Sequence, residues 1–155
     1  MLAAGAEGAR LGTALLATTE ATTIPDSYKR RIVASDGHDT VYTRAYDILY
    51  DLHFPAGIAA RVASNQFTAD WHGRDDELRQ RREELLPLML PSDLRRHDPN
   101  VDPTWMGESA AAVNSVRPVA DLLPDLCTGA EKLLGTRLQD LLRADETPAD
   151  AQPMI

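Results

Sequence analysis

An apolar stripe at helical spacing near the carboxyl end constrains the fold of this chain most strongly. Its members fall on one face of a helix: Val119, Leu122, Leu123, Leu126, Cys127, Ala130, Leu133, Leu134, Leu138, Leu141 and Leu142. The pattern predicts a long amphipathic helix whose apolar face is buried, with Cys127 in the core. Because Pro124 stands inside this run, we expect a kink or a break near residue 124.

Composition and charge exclude several classes of protein. The chain has 155 residues, enough for one ordinary domain, and a formal net charge of −8. Such an acidic chain argues against binding to nucleic acid or to an anionic membrane surface, because both require basic residues. No apolar stretch approaches the roughly 18 residues needed to span a bilayer. A single cysteine cannot form an internal disulfide, so the composition favours the cytoplasm.

Local signals upstream of the stripe predict a mixture of helices and strands. Ala9–Leu11 is a short strand candidate closed by glycine, and Thr40–Thr43 is another. A helix is expected over residues 25–34, with Thr23 as its N-cap. A helix with a strongly charged face is expected over residues 66–90.

A glycine–threonine pair directly follows the first strand candidate. Gly12 allows close approach of a ligand to the backbone, and Thr13 adds an N–H group and a hydroxyl. Such a pair suits a phosphate, but it is also typical of a tight turn after a strand. The spacing alone leaves both interpretations open.

The wider run AAGAEGARLGTALLATTEA, residues 3–21, resembles the helix, strand and loop near the end of the nitronate monooxygenase (2-nitropropane dioxygenase) barrel. Further segments resemble that family in the same order along the chain: Tyr28-Lys29, Asp39–Tyr46, Ala60–Thr68, Trp105–Ser109 and Val116–Ala120. The collinear set implies an α/β fold class: the C-terminal fragment of a TIM barrel (last strand and phosphate loop) plus a mostly helical C-terminal region.

The resemblance implies an FMN-dependent oxidoreductase that oxidises alkyl nitronates with molecular oxygen. In such barrels the loop after the last strand holds the FMN phosphate. The cofactor-binding residues implied here are Arg10, Leu11, Gly12 and Thr13. Backbone groups and the Thr13 hydroxyl would bind the phosphate, and Arg10 would flank it at the strand end. Glu108 stands where the family commonly has glutamine, and a carboxylate there would disfavour negative charge on the reduced flavin.

The sequence predicts no catalytic residue and no metal site in this chain. None of the four histidines, His38, His53, His72 and His97, lies in a segment that resembles the one carrying the family's catalytic histidine. None of them has the spacing of metal ligands either. Because an eight-stranded barrel needs roughly 250 residues, we expect an incomplete enzyme that is inactive alone and binds FMN weakly or not at all.

The expected organisation has three parts. Residues 1–24 hold the last barrel strand and the phosphate loop, residues 25–143 form a mainly helical region, and residues 144–155 form a disordered tail. Two alternatives stay open: a non-catalytic helical interaction domain left from a truncated flavoenzyme, and part of a related FMN-dependent reductase of enoyl thioesters. Exposed apolar faces would in either case favour self-association.

Overall fold

The computed structural model describes residues 2–89 and 96–144. Two compact units are present, one made of Met1–Arg10 with Val119–Ile155 and the other of Leu11–Pro118. The predicted tail lies outside the described residues except for Ala144, and so does residue 90 of the predicted charged helix.

The unit Leu11–Pro118 contains a two-stranded sheet surrounded by helices. Its helices are α1 (Thr13–Leu16), α2 (Asp26–Val33), α3 (Ala45–Leu49), α4 (Gln66–Trp71) and α5 (Asp75–Met89), followed by a short 3-10 helix, Glu108–Ala112. Its strands are β1 (Thr40–Thr43) and β2 (Ala60–Ala63), which run antiparallel with Thr40 opposite Ala63. The predicted strand Thr40–Thr43 is therefore confirmed, and its partner is a segment for which no strand was predicted.

The unit that includes Val119 contains α6 (Val119–Ala144) and a short 3-10 helix, Leu2–Ala4. A kink or a break was expected near Pro124. The break is wrong, because α6 continues through this residue, and the kink stays a prediction. The prediction of a buried Cys127 is also wrong: it is exposed, and Leu133 on the same stripe keeps 61% of its surface accessible. Among the described residues, no helix is long and apolar enough to cross a membrane.

Two further predictions at the level of single elements need correction. Ala9–Leu11 has no regular secondary structure, because a strand needs a hydrogen-bonded neighbour and no described segment pairs with it. The charged helix expected over residues 66–90 is divided into α4 and α5 by Gly73, whose φ of 78° ends the first helix. The N-cap of α2 is Pro25 and not Thr23, since Pro25 still has an extended backbone.

The unit Leu11–Pro118 has two apolar cores. The larger lies among α3, β2, α4 and α5, and its most buried side chains are Tyr46, Leu49, Val62 and Leu78. The smaller core joins Ala17, Tyr28, Ile32, Ala63, Met106 and Ala110. Full burial of a side chain as large as Ile32 contributes about 1.5–3 kcal/mol. The smaller core therefore fixes the segment after α1 against α2 and the loop that precedes the 3-10 helix.

Candidate functional site

Two segments far apart in the sequence meet at the start of α1. The backbone N–H of Gly107 donates a hydrogen bond to the Thr13 hydroxyl oxygen at 3.0 Å, across 94 residues of sequence. Both segments were singled out separately by their resemblance to one family. The contact places them in one local site.

Gly12 is open to solvent on the side where a side chain would project. A Cβ atom built there would meet nothing within 4 Å, so packing inside the chain does not require glycine. Its backbone is nevertheless held, because its carbonyl accepts hydrogen bonds from the N–H groups of Leu15 at 2.9 Å and Leu16 at 3.3 Å. The space beside Gly12 is thus available to a ligand.

The start of α1 is rich in hydrogen-bond donors. The backbone N–H groups of Thr13 and Ala14 lie in the first turn, where a helix supplies no internal acceptor for them. The Thr13 oxygen already accepts from Gly107, so its own hydroxyl proton remains to be donated to another acceptor. Donors without a carboxylate among them fit the oxygen atoms of a phosphate and do not fit a cation.

The far end of α1 is anchored by buried polar contacts. Thr18 donates its hydroxyl to the carbonyl of Leu15 at 2.8 Å, and the Lys29 ammonium donates to the carbonyl of Thr18 at 2.7 Å. The backbone N–H of Thr19 reaches the carbonyl of Arg117 at 3.2 Å. These bonds hold α1 at its carboxyl end, so that its position does not depend on a ligand at the first turn.

The segment that carries Gly107 is held by β2 and α2. Met106 donates its N–H to the carbonyl of Arg61 at 3.3 Å, and Trp105 forms an antiparallel bridge with Val62. The Tyr28 hydroxyl donates to the carbonyl of Trp105 at 2.9 Å. Burial raises the pKa of Tyr28 to about 12, so its hydroxyl keeps the proton that makes this bond at neutral pH.

An ion pair stands at the rim of this site. The Arg61 guanidinium lies 3.1 Å from a carboxylate oxygen of Glu108, the residue directly after Gly107. The sequence pointed to the Glu108 carboxylate but not to Arg61 as its ion-pair partner. No sequence signal joined the two, because β2 was not predicted as a strand.

The structure brings together three of the four predicted cofactor-binding residues. Leu11, Gly12 and Thr13 are consecutive at the start of α1, and Leu11 and Gly12 are exposed. Arg10 is also exposed but belongs to the other compact unit. The assignment of all four residues to a cofactor stays a prediction. Gly107, which supports Thr13, was not predicted as a site residue. Its contribution is a backbone N–H group, which every residue except proline has.

His97 is engaged in structural contacts away from Thr13. Its ring nitrogens lie 3.3 Å from the Ser27 hydroxyl and 3.1 Å from the Thr104 hydroxyl, and its ring contacts that of Tyr28. Burial lowers its pKa below the ordinary value. The other three histidines are exposed. Of the histidines, His97 alone is packed in the fold, and its partners are structural.

Comparison with known proteins shows the family to which the chain belongs. The family description "nitronate monooxygenase" matches residues 1–129, more than four fifths of the chain. Among solved structures, FabK from Thermotoga maritima is similar, with 27% sequence identity and a TM-score of 0.55 over 87% of this chain. The aligned part is 42% of that FabK chain, so the present chain spans about two fifths of its length. No curated protein matches the chain. The chain belongs to the nitronate monooxygenase family, whose members are flavin-dependent oxidoreductases.

Proposed function

We propose that this chain binds the phosphate group of FMN at the start of α1, as the phosphate-binding part of an enzyme that oxidises alkyl nitronates with molecular oxygen. The observation that carries the proposal is the hydrogen bond from Gly107 to Thr13, beside the open face of Gly12. That arrangement leaves a hydroxyl proton and two backbone N–H groups for an anion.

The residues of the site would bind and orient the cofactor. Thr13 would donate its hydroxyl to a phosphate oxygen, and Gly107 would keep that hydroxyl in place. Bound FMN would supply the redox chemistry. Because the chain covers about two fifths of the FabK chain to which it is similar, nitronate as the substrate rests on membership of the family.

The strength of FMN binding can be bounded. Two or three hydrogen bonds to a charged phosphate contribute about 1.5–3 kcal/mol each. Their sum, roughly 3–9 kcal/mol before ordering costs, compares with about 4 kcal/mol for a millimolar dissociation constant. We therefore propose weak binding of FMN by this chain, with a dissociation constant near the millimolar range.

A fluorescence titration of FMN tests the binding site. With a dissociation constant near the millimolar range, we expect quenching of FMN to be about half complete at roughly 1 mM protein. Quenching of riboflavin, which lacks the phosphate, should be much weaker. Gly12→Asp should abolish the quenching, since its carboxylate would occupy the open space and repel the phosphate, while the fold has room for it. Asn114→Asp adds the same charge at an exposed position and should bind like the wild type. Equal quenching of riboflavin and FMN, or normal binding by Gly12→Asp, would refute the site.

Turnover is a separate part of the proposal. Among the described residues, no hydrogen bond joins a histidine to Thr13 or Gly107, and we propose that this chain supplies no catalytic base. Oxygen consumption with FMN and an alkyl nitronate should therefore stay at the rate of free FMN. A rate clearly above that background, lost in Gly12→Asp, would show that the chain is catalytic by itself.

A further inference from the structure

The Arg61 guanidinium is held in place from β1 as well as by its ion pair. One of its nitrogens donates to the Thr40 hydroxyl at 3.1 Å, and the group lies over the Tyr42 ring, 5.9 Å from the ring centre. The same nitrogen lies 3.1 Å from Glu108. Contacts with β1 restrict the side chain even without the carboxylate, so Arg61 is better positioned than an ordinary surface arginine.

Arg61 and Glu108 stand immediately beside the residue that touches Thr13. Glu108 follows Gly107, and consecutive Cα atoms are about 3.8 Å apart. The Arg61 backbone holds the same segment through Met106. The ion pair is therefore attached to the rim of the site proposed for the phosphate, and the Glu108 side chain keeps 68% of its surface accessible.

A carboxylate at this position opposes the binding of an anion. FMN carries a phosphate with up to two negative charges, and the whole chain already has a net charge of −8. A negative charge on the residue next to Gly107 repels such a ligand when solvent screens it incompletely. An adjacent positive charge cancels that repulsion.

We propose that Arg61 is a positioning residue for the phosphate site: by neutralising Glu108, it keeps the loop of Thr13 and Gly107 accessible to an anion. This role rests on the proposed function. It differs from a purely structural role, because an exposed ion pair contributes little to stability. Because the two charges act on the ligand in opposite directions, removing both should leave the affinity near that of the wild type.

A double-mutant cycle on FMN affinity separates the two roles. Arg61→Gln should raise the dissociation constant about three- to tenfold, and Glu108→Gln should lower it by a similar factor. The double variant should bind like the wild type, and Arg61→Lys, which keeps the charge, should stay close to it. All these differences should shrink as salt is added. Arg79→Gln on α5, which removes an exposed ion pair with Asp76, changes the net charge equally and should have no effect.

The outcomes distinguish this role from the proposed function. A double variant as weak as Arg61→Gln would show a structural role and overturn the proposal, as would an Arg61→Gln variant that binds like wild type or like Arg79→Gln. If the wild type fails to bind FMN, or if Gly12→Asp binds normally, the proposed function fails and this role fails with it. Thermal unfolding of each variant identifies any loss of affinity that comes from misfolding.

Discussion

At the scale of single residues, Gly12 and Gly37 are both near the candidate site, but their surroundings differ. Gly12 faces open space, whereas a Cβ atom on Gly37 would stand 2.4 Å from the carbonyl oxygen of Glu108. Gly37 also has a φ of 84°, in the left-handed region that side chains disfavour. The segment around Glu108 therefore packs directly on the Gly37 backbone, and glycine is required there by the fold.

Replacement of Gly37 tests that close contact. Gly37→Ala should lower the free energy of unfolding by about 2–4 kcal/mol, because backbone strain and a steric clash with Glu108 act together. Gly57 is the matched control: its φ is 83°, but a Cβ atom there meets nothing within 4 Å. Gly57→Ala should lose only about 1 kcal/mol. Urea denaturation measures both, and equal losses would contradict the close packing under Glu108.

His97 gives the chain a pH dependence whose sign follows from its burial. Its pKa in the folded chain lies below the ordinary 6.5, chiefly through burial, although Asp102 and Asp98 oppose the shift. The unfolded chain then binds more protons between the two pKa values, so stability falls as the pH drops below about 6.5. His97→Gln should flatten this part of the stability profile, measured by urea denaturation between about pH 5 and 7.5. A profile that falls equally steeply in the variant would assign the acid sensitivity to other groups.

At the scale of elements, Asn65 connects three parts of the unit Leu11–Pro118. As the N-cap of α4, its side chain accepts a hydrogen bond from the backbone N–H of Thr68 at 3.0 Å. The Thr68 hydroxyl oxygen in turn accepts a hydrogen bond from the backbone N–H of Asn65. The amide also bonds to the Tyr46 hydroxyl at 2.8 Å and to the carbonyl of Asp102 at 3.0 Å. The start of α4 is thereby tied to α3 and to the loop before Thr104.

Removal of that side chain should destabilise the chain by more than the loss of a simple helix cap. A lost N-cap costs about 1 kcal/mol. Tyr46, which is buried, would lose one of its hydrogen-bond partners, for roughly 1 kcal/mol more. We expect Asn65→Ala to lower the free energy of unfolding by about 2–3 kcal/mol, and Asn114→Ala, at an exposed position, to change it little. A loss below about 0.5 kcal/mol would show that this network adds nothing to stability.

Local chemistry explains which elements could be predicted. The strand Thr40–Thr43 and the helix over residues 25–34 follow from β-branched residues and from a proline near a helix start. The strand expected at Ala9–Leu11 does not form among the described residues, because pairing depends on neighbours and not on composition. Gly73 divided the charged helix because a single positive φ outweighs the helical propensity of the residues on either side. Pro124 does not end α6, although a proline at this sixth helical position lacks the N–H that would bond to the carbonyl of residue 120.

At the scale of the whole molecule, long-range contacts decide what the sequence could reveal of the site. The sequence predicted Gly12 and Thr13 as cofactor-binding residues through a family resemblance, and the structure shows that Gly107, 94 residues away, donates a hydrogen bond to Thr13. No periodicity or motif spacing encodes such a contact. The exposed leucines of α6, among them Leu126 and Leu133, show that a stripe can mark a helix without marking a buried face. Self-association through exposed apolar faces stays a prediction.

The phosphorus NMR spectrum of FMN, recorded with the wild type and with Thr13→Val, shows whether the Thr13 hydroxyl binds the phosphate. Valine keeps the shape of threonine but removes the hydroxyl that receives the Gly107 hydrogen bond. We expect the phosphate resonance to shift with wild-type protein and to move much less with Thr13→Val at the same concentration. A resonance that stays at the position of free FMN, while the ring fluorescence is quenched, would place the flavin elsewhere and rule out phosphate binding at Thr13.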